Sequence, residues 1–161
     1  MRTYGEEATV GDFFNFENLM NHLHGALNHF PIALLFVSAG ADILAGKRPS
    51  LRSSAWLLLV LGTLGAIAAT ASGLLAHLAY EDDPYLLSPM EVHQYLAFAT
   101  TALFAALTAW RWRSLRRSSD VGGSPAYLAL ILLGLVFLGV TGFLGGNLIT
   151  EYGIGVKGIT R

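Results

Sequence analysis

PAYLALILLGLVFLGVTGFLGGNLI, residues 125–149, runs for 25 residues without a charged side chain. The hydrocarbon core of a bilayer is about 30 Å thick, and a helix needs about 20 apolar residues to cross it. The stretch therefore reads as a membrane span. Three further segments meet the same requirement: residues 24–46, 54–80 and 92–110. Of the 161 residues 53% are hydrophobic and 13% charged, where a soluble domain carries roughly a quarter charged residues. The expected fold is all-α, an integral membrane four-helix bundle with antiparallel neighbours. Residues 1–23 make an extracytoplasmic lead-in, 24–149 the bundle and 150–161 an extracytoplasmic tail.

Loop charges set the expected orientation. The loop after the first span holds Lys47, Arg48 and Arg52, and the loop after the third holds Arg111, Arg113, Arg116 and Arg117. Between the second and third spans stand Glu81, Asp82, Asp83 and Glu91 with no basic residue. Both termini are thus expected outside and both basic loops in the cytoplasm of a bacterial inner membrane. In the lead-in, Phe13, Phe16, Met20 and Leu23 recur at helical spacing with polar residues between them. They predict a short amphipathic helix over residues 12–23, lying on the outer membrane surface. The acidic N-terminus does not read as a signal peptide, so the first span is expected to serve as its own targeting signal. Asp42, the one acid well inside a span, is expected to pair with Lys47, Arg48 or Arg52; a proton relay is the other reading.

There is no cysteine. That excludes disulfides, covalent c-type haem and cysteine-ligated iron–sulfur clusters. No nucleophile–base pair, phosphate-binding glycine loop or nucleic-acid surface is recognisable, so neither turnover nor a nucleic-acid partner is assigned.

All five histidines, His22, His24, His29, His77 and His93, fall at one end of the bundle. Imidazole near hydrocarbon is costly without a partner, a cavity or a metal. His24, His29, His77 and His93 come from three spans at similar depth, which suggests a shared ligand site. His24 and His29 are five residues apart, about 140° around a helix, and cannot share a face. With Pro31 in a first helical turn the regular helix would begin near Asn28, placing His29 opposite His93. Ser88, Pro89 and Glu91 read as the capping box of the third span. Gly62, Ala66, Ala69 and Gly73 form a small-residue face on the second span that ends at His77. Such a face allows close helix packing and also leaves room for a flat macrocycle.

Imidazoles on facing helices are what a low-spin b-type haem requires, each with a partner for its second nitrogen. Asn28, Thr100, Thr101 and Asn147 are candidates for that orienting role. The competing metal reading is a three- or four-histidine zinc or copper site.

LHGALNHFPIAL at 23–34, His93 at the head of the third span and GGNLITEYGIGV at 145–156 together resemble a bacterial family of small four-helix membrane proteins of unknown function. The resemblance implies a b-type-cytochrome-like protein, since members look like b-type cytochromes and the domain occurs joined to redox modules such as c-type cytochromes. It points to His24, His29 and His93. Where the family's closing motif often has a histidine this chain has Tyr152, and His77 lies outside the pattern.

The expected function is membrane electron transfer through one or two non-covalent haem b groups near the periplasmic face. His29 and His93 are the expected axial pair, with His24 and His77 as a second pair or as propionate contacts. The expected partners are the lipid bilayer, a periplasmic cytochrome or quinol, and other subunits of a respiratory or photosynthetic complex. The acidic segment Glu81-Asp82-Asp83 would suit a basic soluble cytochrome. The alternatives are a non-redox metal binder or transporter, and a structural or assembly subunit.

Overall fold

The computed structural model describes residues 16–80 and 84–154. Four long helices take up most of them: α1 Phe16–Leu44, α2 Leu51–His77, α3 Pro84–Leu115 and α4 Pro125–Thr150. Short 3-10 turns, Leu78–Tyr80 and Val121–Gly123, follow α2 and precede α4. Among the described residues there is no β-strand. The segments His22–Leu44, Leu51–His77, Tyr85–Leu115 and Pro125–Thr150 are each long and apolar enough to cross a bilayer. The 27 residues of α2 reach about 40 Å at 1.5 Å per residue, more than the hydrocarbon thickness. Phe30, Leu64, Val136 and Phe143 are more than half exposed, a burden in water that vanishes against lipid tails. The chain is an all-α four-helix membrane bundle.

Two helix starts differ from the sequence expectation. The lead-in is helical from Phe16 and continues into the first span without a break, whereas a separate interfacial helix was expected. Residues 12–15 of that expected helix, the acidic segment 81–83 and the tail from residue 155 lie outside the described residues. The third helix starts at Pro84, so Pro89 lies inside it and Ser88 is not its cap. Proline is harmless in a first turn, and Pro84 takes that place. In α4 the expectation and the structure coincide. The Ser124 hydroxyl accepts from the Tyr127 N–H, with Pro125 at the first helical position, which satisfies one of the donors a helix start leaves open. Gly153 ends the helix at a φ of 70°, a backbone state that favours glycine. The N–H groups of Gly153 and Ile154 turn back onto the carbonyls of Ile149 and Leu148.

The bundle consists of two antiparallel hairpins. α1 packs most extensively on α2, α3 packs on α4 and also on α2, and α1 meets α4 over a smaller area. The small-residue face of α2 is the reason for the first pairing. A Cβ on Gly62 would fall 2.8 Å from the Leu35 side chain, so only glycine lets the backbones come this close. Leu35, Leu59, Phe104, Leu107, Tyr127, Ile131 and Leu138 form the apolar core between the two ends of the bundle. Hydroxyls cross the helix seams within it: Ser38 Oγ donates to the Ala55 carbonyl at 2.9 Å, and Thr63 shares a 2.8 Å bond with Thr108.

The end opposite the histidines is closed by buried charge. Arg111 and Asp42 both have fully buried side chains and meet at 2.6 Å between Nη1 and Oδ2. The same guanidinium holds Asp120 through Nε and Nη2 at 3.0 and 3.1 Å, and Nη2 also donates to the Arg52 carbonyl at 3.2 Å. Arg52 Nη1 approaches Asp42 Oδ1 at 3.6 Å. The guanidinium lies 5.6 Å from the Tyr127 ring and 5.9 Å from Trp56. A Cβ on Gly122 would fall 2.6 Å from Arg111 Cζ, so the turn before α4 is shaped around this side chain. Asp42 therefore does meet Arg52, but its principal partner is Arg111, read in the sequence as part of a basic loop. Arg111 is one full turn inside α3, on the face turned to the core.

Candidate functional site

His24 stands in the third turn of α1 and reaches across to α2. Its Nδ1 lies 3.0 Å from the Ala69 carbonyl and 3.1 Å from Ser72 Oγ, and Ser72 Oγ itself donates to that carbonyl. The ring rests on Gly73, where a Cβ would fall 2.7 Å from His24 Cε1. His93 in α3 repeats the device on α4. Its Nδ1 lies 3.1 Å from the Thr141 carbonyl, and its ring rests on Gly145, where a Cβ would fall 3.0 Å from Cε1. In each hairpin the first helix carries the histidine. The second helix supplies an accepting carbonyl and, four residues on, a glycine seat.

A carbonyl can only accept, so each Nδ1 carries the proton and each Nε2 presents a lone pair. Among the described residues neither Nε2 has a hydrogen-bond partner. The two rings lie edge to face, with centroids 6.5 Å apart and planes at 82°. A metal ion bonds imidazole nitrogen at about 2.0–2.1 Å, so with the ring centre about 1.1 Å further on, two rings in line across one ion stand about 6.4 Å apart. Two imidazoles on a tetrahedral ion would stand only about 5.2 Å apart. The observed centroid separation is close to the in-line value.

Two cavities flank the pair, and both are lined by His24 and His93. The rim cavity, about 210 Å³, extends toward the helix ends, where His77, Tyr80, Met90 and Ile154 line it. The deep cavity, about 230 Å³, extends toward the bundle middle, where Pro31, Ala66, Thr100 and Leu138 line it. Gly25, Asn28, Ala97 and Gly145 border both.

The structure thus brings His24, not His29, opposite His93. Because α1 is helical from Phe16, His24 falls well inside a regular helix and turns inward. His29, 140° further round, is exposed; its Nδ1 donates to the Gly25 carbonyl at 2.9 Å on its own helix, and it borders the deep cavity. His77 is half-buried on the rim cavity, one turn beyond Gly73, and His22 is exposed at the same rim. Tyr152 packs on Tyr85 at 5.6 Å between ring centres. The expected orienting side chains do not hold the histidines. Thr101 bonds Thr70, and Thr100 bonds the Leu96 carbonyl and Thr141. Backbone carbonyls do the orienting instead, aided on one side by Ser72. Among the described residues no three histidine, cysteine, aspartate or glutamate side chains converge as a metal cage would require.

Fold and site together define a membrane four-helix bundle with one histidine from each hairpin meeting near one end. A family model described as predicted membrane protein (DUF2231) matches residues 21–158, and the chain belongs to that family. No curated protein and no solved structure matches it significantly.

Proposed function

We propose that the protein is a membrane electron carrier that holds one non-covalent b-type haem between His24 and His93. The observation that carries this reading is the facing pair, 6.5 Å between ring centres, with both Nδ1 atoms anchored on carbonyls and both Nε2 atoms open. A haem iron takes four bonds from its own macrocycle and asks the protein for two. A zinc or copper site built from side chains asks for three or four, so the two-imidazole donor set supports haem. Anchored rings keep their tautomer and direction, which raises the basicity of the coordinating nitrogen. A haem held by His24 and His93 would supply one-electron transfer rather than oxygen chemistry.

The bundle sits in a bacterial inner membrane with its histidine end on the periplasmic side. Charge supports this orientation. Lys47, Arg48, Arg113, Arg116 and Arg117 cluster at the opposite end, while Glu91 lies at the histidine end and the sequence between α2 and α3 is acidic without a basic residue, as the preference for cytoplasmic basic loops demands. A haem held there can exchange electrons with a periplasmic cytochrome, with quinol, or with neighbouring subunits of a respiratory or photosynthetic complex.

The test is a visible spectrum of the purified protein with haem quantified per chain. One haem per chain with sharp reduced α and β bands is expected; a colourless protein with stoichiometric zinc or copper would overturn the reading. The glycine seats give a second expectation. Gly73→Ala pushes the His24 ring off its carbonyl, and haem affinity falls about tenfold or more, as for loss of an orienting contact. Gly139→Ala, where a Cβ meets nothing within 4 Å, leaves it unchanged. Equal haem retention by the two variants would remove Gly73 from the site.

A further inference from the structure

We propose that His77 receives the acidic edge of the bound macrocycle, so that the group stands across the histidine pair with its carboxylates in the rim cavity and its hydrocarbon edge in the deep cavity. This rests on the haem reading above and fixes which way round the group is held.

Two observations carry it. The first is where unspent polar groups lie. In the deep cavity the threonine hydroxyls are used up, Thr70 with Thr101, Thr100 with the Leu96 carbonyl and Thr141, and Thr141 with the Phe137 carbonyl; His29 spends its Nδ1–H on the Gly25 carbonyl, and Asn28 borders both cavities and favours neither. A carboxylate pushed there would face hydrocarbon and spent donors, at a high desolvation cost. In the rim cavity His77 is half-buried and carries no hydrogen bond among the described residues. Its imidazole offers an N–H to a carboxylate one turn beyond the seat of the axial ring.

The second observation is a break in symmetry. The two hairpins match at His24 and His93, at the Ala69 and Thr141 carbonyls, and at the Gly73 and Gly145 seats. One turn further toward the rim the match ends, with His77 on α2 and Ile149 on α4. The shared features would hold the group equally from its two faces. A porphyrin with acids on one edge is not symmetric about its plane's other axes, and His77 supplies the matching polarity. His77 is also unsuited to a second axial pair. An axial histidine needs its other nitrogen held, and His77 lacks the carbonyl anchor that His24 and His93 both have.

The full-length chain, produced without a haem supply and purified in detergent, is titrated with haem b and with its neutral dimethyl ester. The wild type is expected to bind the diacid about tenfold more tightly or better, the scale of one charge-assisted hydrogen bond. His77→Ala is expected to lose that preference while keeping low-spin bands. His77→Gln, which retains an N–H donor, keeps part of it, and His29→Ala keeps all of it. Equal binding of diacid and ester by the wild type, or a preference that survives His77→Ala, overturns the proposal and leaves the haem assignment standing. Failure of both porphyrins to bind the wild type overturns the haem assignment itself, and this proposal with it.

Discussion

His24→Ala and His93→Ala are each expected to abolish the low-spin haem spectrum while the chain stays folded in detergent. Each variant removes one of the two proposed haem ligands, and no other described histidine is placed to replace it. His29 is tied to its own helix through the Gly25 carbonyl, and His77 sits a turn away on the rim. The structural cost is small by comparison. Losing His24 takes one hydrogen bond from the Ala69 carbonyl, which Ser72 still serves; losing His93 takes one from Thr141. A neutral hydrogen bond is worth about 1 kcal/mol net, too little to unfold a bundle of this size. Helicity by circular dichroism should therefore match the wild type while the absorption changes. His29→Ala is expected to retain the spectrum. The opposite pattern, haem lost with His29→Ala and kept with His24→Ala, would show that the wrong pair has been assigned.

Arg111→Met carries the largest expected effect on stability. Four hydrogen bonds leave this guanidinium, to Asp42, to both oxygens of Asp120 and to the Arg52 carbonyl. Removing it strands Asp42, whose side chain is fully buried. Breaking a buried ion pair from one side costs about 3–5 kcal/mol, because the surviving charge is left desolvated. Arg111→Lys should recover only part of the loss, since an ammonium cannot reproduce a planar fork of donors. Asp42→Asn added to Arg111→Met should restore some of the stability by removing the stranded charge. Thermal or denaturant unfolding in detergent reads all three. If Arg111→Met unfolds with the wild type, the cluster is not a fastening of the bundle.

Much of the fold could be read from the chain because the apolar runs are long and uncharged. Residues 125–149 admit almost no other interpretation, and the helix there starts at the proline that the sequence marks. The starts of α1 and α3 were harder. An amphipathic lead-in and a first span look like two elements when one is polar and the other is not, yet the backbone runs through both. That single continuity decided the site. It carried His24 into a regular helix and turned His29 outward, so the pair was legible as a group of histidines at one depth and not as a particular two. The orienting partners had no sequence signature, since any residue brings a carbonyl. Gly73 and Gly145 were visible as small residues, but their role as ring seats appears only with the rings in place. Arg111 was hidden within a basic run whose other members explain themselves by topology. The unmet charge of Asp42 was the one hint that an arginine should turn inward.

The repeated device has a mechanical consequence. Each hairpin brings one half of a clamp, and the Arg111–Asp42 pair already joins the halves at the far end. A metal gripped by both histidines would act as a rivet between two half-molecules. A chain severed between α2 and α3 would then yield two fragments whose affinity for each other rises when the proposed haem is bound.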